Sequence, residues 1–260
     1  MTQLLVGLLI TLVVVGYGLI SIFQLRDQRD RARELPRVAR RAGLIHSPID
    51  LFGSTNHLFD LFTGSDRAEA HNVCHTTGRD GLLERVFDLE LVDIVEDRQG
   101  RGERGLTGNP FETREKEVRR RQFTCAVLEV RGLWPHLRIR PEGRFDKVLG
   151  GLGLRDIEFE SDEFNRYFHV TCDNNRFASD FVDPQMMDLL VGSEGQLMVE
   201  VKGRWLLVAA ERLPARSVPG LLGFARQLKA AVPAVIRELY PVFEPEGEPS
   251  PETRADATPE

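Results

Sequence analysis

Cysteine, lysine and the signature motifs of common enzymes are all scarce in this chain of 260 residues. Its 3 cysteines are too few, and odd in number, for a disulfide framework. Only 4 lysines accompany 30 arginines, a ratio that GC-rich bacterial coding DNA would produce. The formal net charge of −6 argues against a general nucleic-acid binder, which needs a basic surface. At 42% hydrophobic residues, the composition excludes disorder of the whole chain.

Signatures of phosphate binding, of serine nucleophiles and of zinc binding are missing as well. The sequence has no Walker lysine motif, no G-x-S-x-G nucleophile elbow and no H-E-x-x-H. The densest group of ligand-type residues is His-Asn-Val-Cys-His at 71–75. On a strand, His71 and His75 share a face but stand about 13 Å apart, and Cys74 faces the other way. One ion cannot join all three, so we predict ordinary strand residues, no metal site and no cofactor.

Cysteine–histidine pairs for nucleophilic catalysis are not evident from the spacing. His169 and Cys172 differ by three positions and would face opposite sides of a strand. Cys125 lies among apolar residues and is typical of a small core side chain. The sequence leaves open a pair formed across the fold, such as Cys74 with His136. We therefore assign no catalytic residue.

Two further stretches have plain structural interpretations. The acidic residues between 156 and 163 alternate with Ile157 and Phe159, which indicates a solvated strand face rather than catalytic carboxylates or a cation site. The glycines at 150, 151 and 153 would need a strand before them and a helix after them to cradle a dinucleotide. A strand is predicted after them instead, so a turn is favoured.

The clearest pattern in the sequence is an uncharged run at residues 4–23. About 20 apolar residues cross a hydrocarbon core of roughly 30 Å, so residues 1–25 are predicted to form a transmembrane anchor. A cleaved signal peptide is the alternative, but no basic residue precedes the run and no A-x-A site follows it.

An arginine-rich stretch follows the predicted anchor. Residues 24–43 carry seven bases against three acids, a net charge of +4. The positive-inside rule then places the N-terminus outside and the body in the cytoplasm of a single-pass protein of the cell membrane. The arginines can either set the topology alone or also bind anionic lipid headgroups. The candidate lipid-binding residues are Arg26, Arg29, Arg31, Arg33, Arg37, Arg40 and Arg41.

Residues 26–67 are predicted to form this arginine-rich juxtamembrane segment and an irregular linker. The helix is expected to reach about Glu34, where Pro36 ends or kinks it. Two Asp-Leu-Phe triplets, at 50–52 and 60–62, are either docking motifs or segments that pack onto the domain. Packing is the favoured interpretation.

Residues 68–243 are predicted to form an α+β domain with a mostly antiparallel, open or barrel-like sheet and helices late in the chain. A first hairpin is expected around the turn at 78–81, and a second across residues 202–204. The other predicted strands cover 123–130, 137–140, 156–160 and 164–172, and the predicted helices cover 176–182, 184–191 and a segment from 217 onward. Residues 97–121 are predicted to form a long loop, and the acidic, proline-rich tail at 244–260 to be disordered.

Four stretches of the body carry a family resemblance: "FDLELVD", "HLRIRPEG", "ESDEFNRYFHV" and "FASDFVDPQMMDLLV". Together with the N-terminal run, they resemble an uncharacterised family of bacterial membrane-associated proteins, a domain of unknown function. The resemblance covers roughly residues 70–235. It implies the architecture above and transfers no activity, cofactor or catalytic residue.

The leading hypothesis for function is a membrane-anchored protein whose cytoplasmic domain binds a protein partner without catalysis, with no nucleic-acid partner. One alternative is a membrane-tethered, hydrolase-like enzyme, which would need a histidine or cysteine within hydrogen-bond reach of a carboxylate. Another is a small-ligand or lipid-binding module, which would show an apolar cavity with a few polar groups.

Overall fold

The computed structural model describes residues 29–57, 59–96, 116–142 and 156–240. They form an α+β domain around a six-stranded antiparallel sheet. The helices are α1 (29–41), α2 (Asp60–Thr63), α3 (Asp162–Tyr167), α4 (Asn175–Phe181), α5 (Pro184–Val191), α6 (Val218–Ala231) and α7 (Ala234–Leu239). The strands are β1 (Ile45–Ile49), β2 (Arg67–Thr77), β3 (Leu83–Glu96), β4 (Lys116–Pro141), β5 (Phe168–Cys172) and β6 (Leu197–Glu211).

The predicted fold class requires correction in its membrane part. None of the helices in the described ranges is both long and apolar enough to span a bilayer. Even α6, with 14 residues, falls short of the roughly 20 that a span requires. The single-pass membrane description is therefore not supported. The run at residues 4–23, Arg26, the glycines at 150–153 and the tail at 244–260 all lie outside the described residues.

The sheet is open over the described residues, rather than barrel-like. Its order is β1-β2-β3-β4-β5, and β6 pairs with β4. Strand β4, 26 residues long, is its centre: β3 pairs with its first half, β5 with its last residues and β6 with its middle and end. All these pairs are antiparallel, and the predicted β2–β3 hairpin is present.

Two predicted breaks in the sheet are wrong. Residues 123–130 and 137–140 belong to the single strand β4, and the predicted hairpin across 202–204 is the single strand β6. Gly203 adopts a positive φ of 58° opposite Trp134, and the register between the strands shifts there. The two paired strands therefore bend together instead of ending, because glycine tolerates this backbone conformation.

The region around residues 156–167 also departs from prediction. Residues 156–159 are not a strand, and α3 replaces the first half of the strand predicted at 164–172. The Ser161 hydroxyl accepts a hydrogen bond from the Phe164 N–H, and Asp162 and Glu163 lie in the first helical turn. Both features stabilise a helix N-terminus, which outweighs the period-two pattern of the aromatic residues.

The two faces of the sheet are covered differently. On one, here the helix face, α1 and α4–α7 pack over a large core that includes Leu35, Leu128, Phe177 and Leu222. On the other, the segment face, a smaller core lies under residues 50–63, where Phe59, Leu61 and Phe62 pack onto strand residues such as Phe87 and Leu207. The predicted linker is thus an integral layer of the domain.

Candidate functional site

The predicted lipid-binding arginines lie on α1, except for Arg26, which is outside the described residues. Five of them are exposed and fall within an arc of about 120° around the helix, opposite its buried side: Arg29, Arg33, Arg37, Arg40 and Arg41. Arg31 points the other way and is only 6% exposed. Lipid binding by the five exposed residues stays a prediction.

The guanidinium of Arg31 has a structural role. Its Nε donates to Asp88 Oδ2 at 2.6 Å, and it also donates to the carbonyl of Leu213 at 2.6 Å. Asn72 Nδ2 donates to the same carboxylate at 2.9 Å. Arg31 therefore ties α1 to the sheet, and its buried position excludes it from the predicted lipid-binding set.

In the described part of the chain, no hydrogen bond joins a cysteine to a histidine, and Cys74 Sγ donates instead to the carbonyl of Asn72. Burial raises the pKa of Cys74 to about 12 and raises the pKa of Cys125 and of Cys172 above its usual range. Cys74 lies in the helix-face core, whereas His136 bonds Glu200 beneath α2 on the segment face, so the pair left open by the sequence does not form. Protonated, buried thiols are poor nucleophiles.

A cluster of charged groups lies beneath α2 on the segment face. His136 Nε2 lies 2.8 Å from Glu200 Oε1, which also accepts the backbone N–H of Asp60 at 2.8 Å. Arg138 forms an ion pair with the Asp60 carboxylate and donates through Nε to Thr171 Oγ1 at 3.1 Å. Glu200 is fully buried, and its second oxygen has no hydrogen-bond partner.

Within the described part of the chain, one group of side chains has ligand atoms close enough together to hold a metal ion: Asp60, His136 and Glu200, whose atoms lie within 4.8 Å of one another. One histidine and two carboxylates suit a divalent transition metal. The guanidinium of Arg138 already binds Asp60, however, and supplies positive charge where an ion would supply it. The arrangement is thus that of an ion-pair network holding α2 on the sheet.

The pair His136–Glu200 meets the distance condition of the enzyme hypothesis. Neither the cleft beside α6 nor the smaller one beside Arg31 is lined by any residue of the cluster. Sequence reasoning missed the cluster because its residues come from α2, β4 and β6. A usable signal was present, since His136, Arg138 and Arg140 alternate with apolar residues on a central strand.

A second polar cluster surrounds the fully buried Arg85. It holds the first part of residues 50–63, the segment that covers this face, on the sheet. Arg85 donates to His57 Nε2 at 2.5 Å and to Ser54 Oγ at 3.3 Å, and its guanidinium stacks on Trp205 at 5.1 Å from the ring centroid. Burial and, next, the charge of Arg85 lower the pKa of His57 to about 4. The neutral imidazole can then accept a hydrogen bond from the guanidinium of Arg85.

An apolar surface remains beside this anchor, at the free edge of β1. Of the nine large hydrophobic side chains that are exposed in the described residues, four lie between residues 45 and 52. We call them the apolar edge patch: Ile45, Ile49, Leu51 and Phe52, at 64%, 62%, 68% and 37% exposure. The ring of Phe52 packs on His75, the register partner of Ile45. Clustered apolar exposure of this kind marks interaction surfaces in folded proteins.

Comparison with solved structures gives one informative similarity. The fold resembles that of the mycobacterial trehalose monomycolate transport factor A, TtfA, with a TM-score of 0.53 and 16% sequence identity. The alignment covers 83% of this chain and 99% of the TtfA chain. At this identity the similarity establishes a shared fold. No family model matches the sequence, and no curated protein matches it either. The resemblance to an uncharacterised family therefore stays a prediction.

Proposed function

We propose that this protein is a non-catalytic accessory factor in a transport process and that it acts by binding a protein partner. The observation that carries the proposal is the apolar edge patch, which concentrates exposed Ile45, Ile49, Leu51 and Phe52 at an edge strand. Burying such side chains against a partner removes apolar area from water, at about 25 cal/mol per Å².

Two further observations support the proposal. The fold shared with TtfA, a transport factor by name, favours an accessory role in transport. Two features argue against nucleophilic chemistry among the described residues. The pKa of all three cysteines is raised, and His136 and Asp60 belong to a structural network in which each contacts another charged side chain.

The geometry of β1 also restricts how a partner binds. An edge strand normally offers unpaired backbone groups to a further strand. Pro48, the fourth of the five residues of β1, has no N–H to donate, and proline on an edge strand disfavours the addition of a further strand. We therefore propose contact mainly through the apolar side chains rather than through extension of the sheet.

The test is site-specific photo-crosslinking of the full chain in its own cells. A photoreactive residue replaces Leu51, and a matched control carries it at Leu239 of α7, which is 52% exposed. We expect one recurring crosslinked protein from position 51 that is absent from position 239 and disappears when Ile45→Ser and Ile49→Ser are added.

Identical products from both positions, or products that survive the two serine substitutions, would refute partner binding through this patch. The identity of the crosslinked protein tests the remaining part of the proposal. A component of a transport system supports it, whereas a partner with no part in transport would restrict the proposal to partner binding.

A further inference from the structure

A cleft of about 740 Å³ opens on the helix face of the sheet, between the β2–β3 turn, the middle of β4 and the end of α6. Clefts of about 300–1,000 Å³ are the usual size of small-molecule sites. None of its lining residues belongs to the apolar edge patch or to the cluster beneath α2. The cleft is therefore separate from the proposed partner surface.

The floor of the cleft is apolar. Val130 and Trp134 of β4, Leu82 of the turn and Val232 after α6 line it. Trp134 is only 6% exposed, and its Nε1 is buried without a hydrogen-bond partner. Such a wall favours the apolar body of a ligand.

The rim of the cleft is positively charged. Five cations line it against two carboxylates, a difference of +3 in a chain whose formal net charge is −6. The five are Arg79, Arg131, Arg226, Lys229 and Arg237. A concentration of positive charge against the sign of the whole chain favours an anionic ligand.

The two carboxylates of the rim are already paired. Lys229 Nζ lies 2.5 Å from Asp80 Oδ2, and Arg226 contacts Glu84 Oε2 at 2.6 Å. The other two cations with described contacts donate to neutral carbonyls: Arg131 to that of Asp80 at 2.8 Å and Arg237 to that of Val232 at 2.7 Å. Those contacts do not neutralise the charges of Arg131 and Arg237, and both residues line the cleft.

We propose that this cleft binds a small amphiphilic anion, with a phosphate, sulfate or carboxylate head at the arginine rim and a single apolar chain or ring on the floor. A bare inorganic anion would leave the apolar floor unused, and an uncharged amphiphile would leave the rim unused. The charge and the apolar body are thus both required for binding.

The test uses decyl phosphate, with inorganic phosphate and uncharged decyl maltoside as matched probes, all below their critical micelle concentrations. The chain has 2 tryptophans, so the Trp205→Phe variant leaves Trp134 as the sole fluorescent reporter. Calorimetry on the unaltered chain serves as the second readout. We expect saturable binding of decyl phosphate, and binding at least tenfold weaker for each of the other two probes.

The matched variants are Arg131→Gln with Arg237→Gln in the cleft, and Arg33→Gln with Arg37→Gln on α1. All four arginines are exposed, so we expect both variants to fold like the unaltered chain, as thermal melts will verify. The cleft variant should bind decyl phosphate at least tenfold more weakly, and the α1 variant should bind it unchanged. No saturable binding of decyl phosphate, equal affinity for inorganic phosphate or decyl maltoside, or equal loss in both variants would overturn the proposal.

Discussion

The two Asp-Leu-Phe triplets begin ten residues apart and differ in exposure. Leu61 and Phe62 of the second triplet are 0% and 4% exposed, whereas Leu51 and Phe52 of the first are 68% and 37% exposed. The aspartates differ in the same way. Asp60 pairs with Arg138 beneath α2, while Asp50 accepts hydrogen bonds from its own loop, at Phe52 and Ser54.

This difference shows that a short motif does not encode its own burial. The favoured interpretation, that both triplets pack onto the domain, is confirmed for the second. In the first, Leu51 is exposed and only the ring of Phe52 packs, on His75. The second lies over Phe87 and the other apolar residues of the segment face, which provide a surface for it. The first lies just beyond the edge strand β1, where that surface ends.

The largest expected effect comes from truncating the matched leucines. Leu61→Ala should lower the free energy of unfolding by about 3 kcal/mol, because it leaves a cavity in a closed core. Leu51→Ala should change it by less than about 0.5 kcal/mol, since that side chain is already in water. Urea unfolding of both variants measures the difference, and equal losses would show that the first triplet is also packed in solution.

A smaller effect is expected at the matched aspartates. Asp60→Ala leaves the buried guanidinium of Arg138 without its carboxylate and should lower the free energy of unfolding by about 2 kcal/mol. This loss is smaller than that for a fully buried pair, because Asp60 retains some contact with solvent. Asp50→Ala removes hydrogen bonds within its own loop, together with a negative charge that acts on Arg85, and should cost about 1 kcal/mol. If both variants lose the same free energy of unfolding, Asp50 stabilises the loop of the first triplet as much as Asp60 stabilises the attachment of α2.

A pH-dependent effect is expected at His57, whose ring nitrogen contacts Arg85 from the loop after the first triplet. Burial and, next, the charge of Arg85 lower its pKa to about 4, below the value of about 6.5 expected in the unfolded chain. Between pH 6.5 and pH 4 the unfolded state binds the proton more readily, so stability falls as the pH falls through this window.

His57→Asn removes this dependence while keeping an acceptor for Arg85. We expect the free energy of unfolding of the variant to decrease less between pH 6.5 and pH 4 than that of the unaltered chain. The control is His71→Asn, which removes an imidazole that is exposed and lies outside the contact with Arg85. An NMR titration that places the pKa of His57 near 6.5 would contradict the proposed contact with Arg85.

Several elements were predictable because their signals are local. Asp183 caps α5 by accepting from the N–H of Met186, as the Asp-Pro pair at its start indicates. The apolar stripe of α6 is buried as its spacing predicts, at Leu221, Leu222, Ala225 and Leu228. The hairpin of β2 and β3 likewise follows from a turn of four residues between two alternating runs.

Other features escaped prediction because long-range pairing decides them. Neither Trp134-Pro135 in β4 nor Gly203 in β6 looks compatible with a continuous strand. Each strand continues because the other bends with it, and that coupling is invisible in either segment alone. Arg85, Arg138 and Glu200 likewise appear as ordinary charges in alternating strands, and only their partners on other elements explain their burial.

The cap of α5, the α6 stripe and the β2–β3 hairpin could be read from the sequence, because each depends on neighbours within a few residues. Contacts between distant parts of the chain decide which triplet is buried, which arginines stay exposed and where positive charge is concentrated around a cleft. These properties depend on which distant surfaces meet. A side chain's free energy is set by the area and charge that it contacts there, rather than by the residues beside it in the chain.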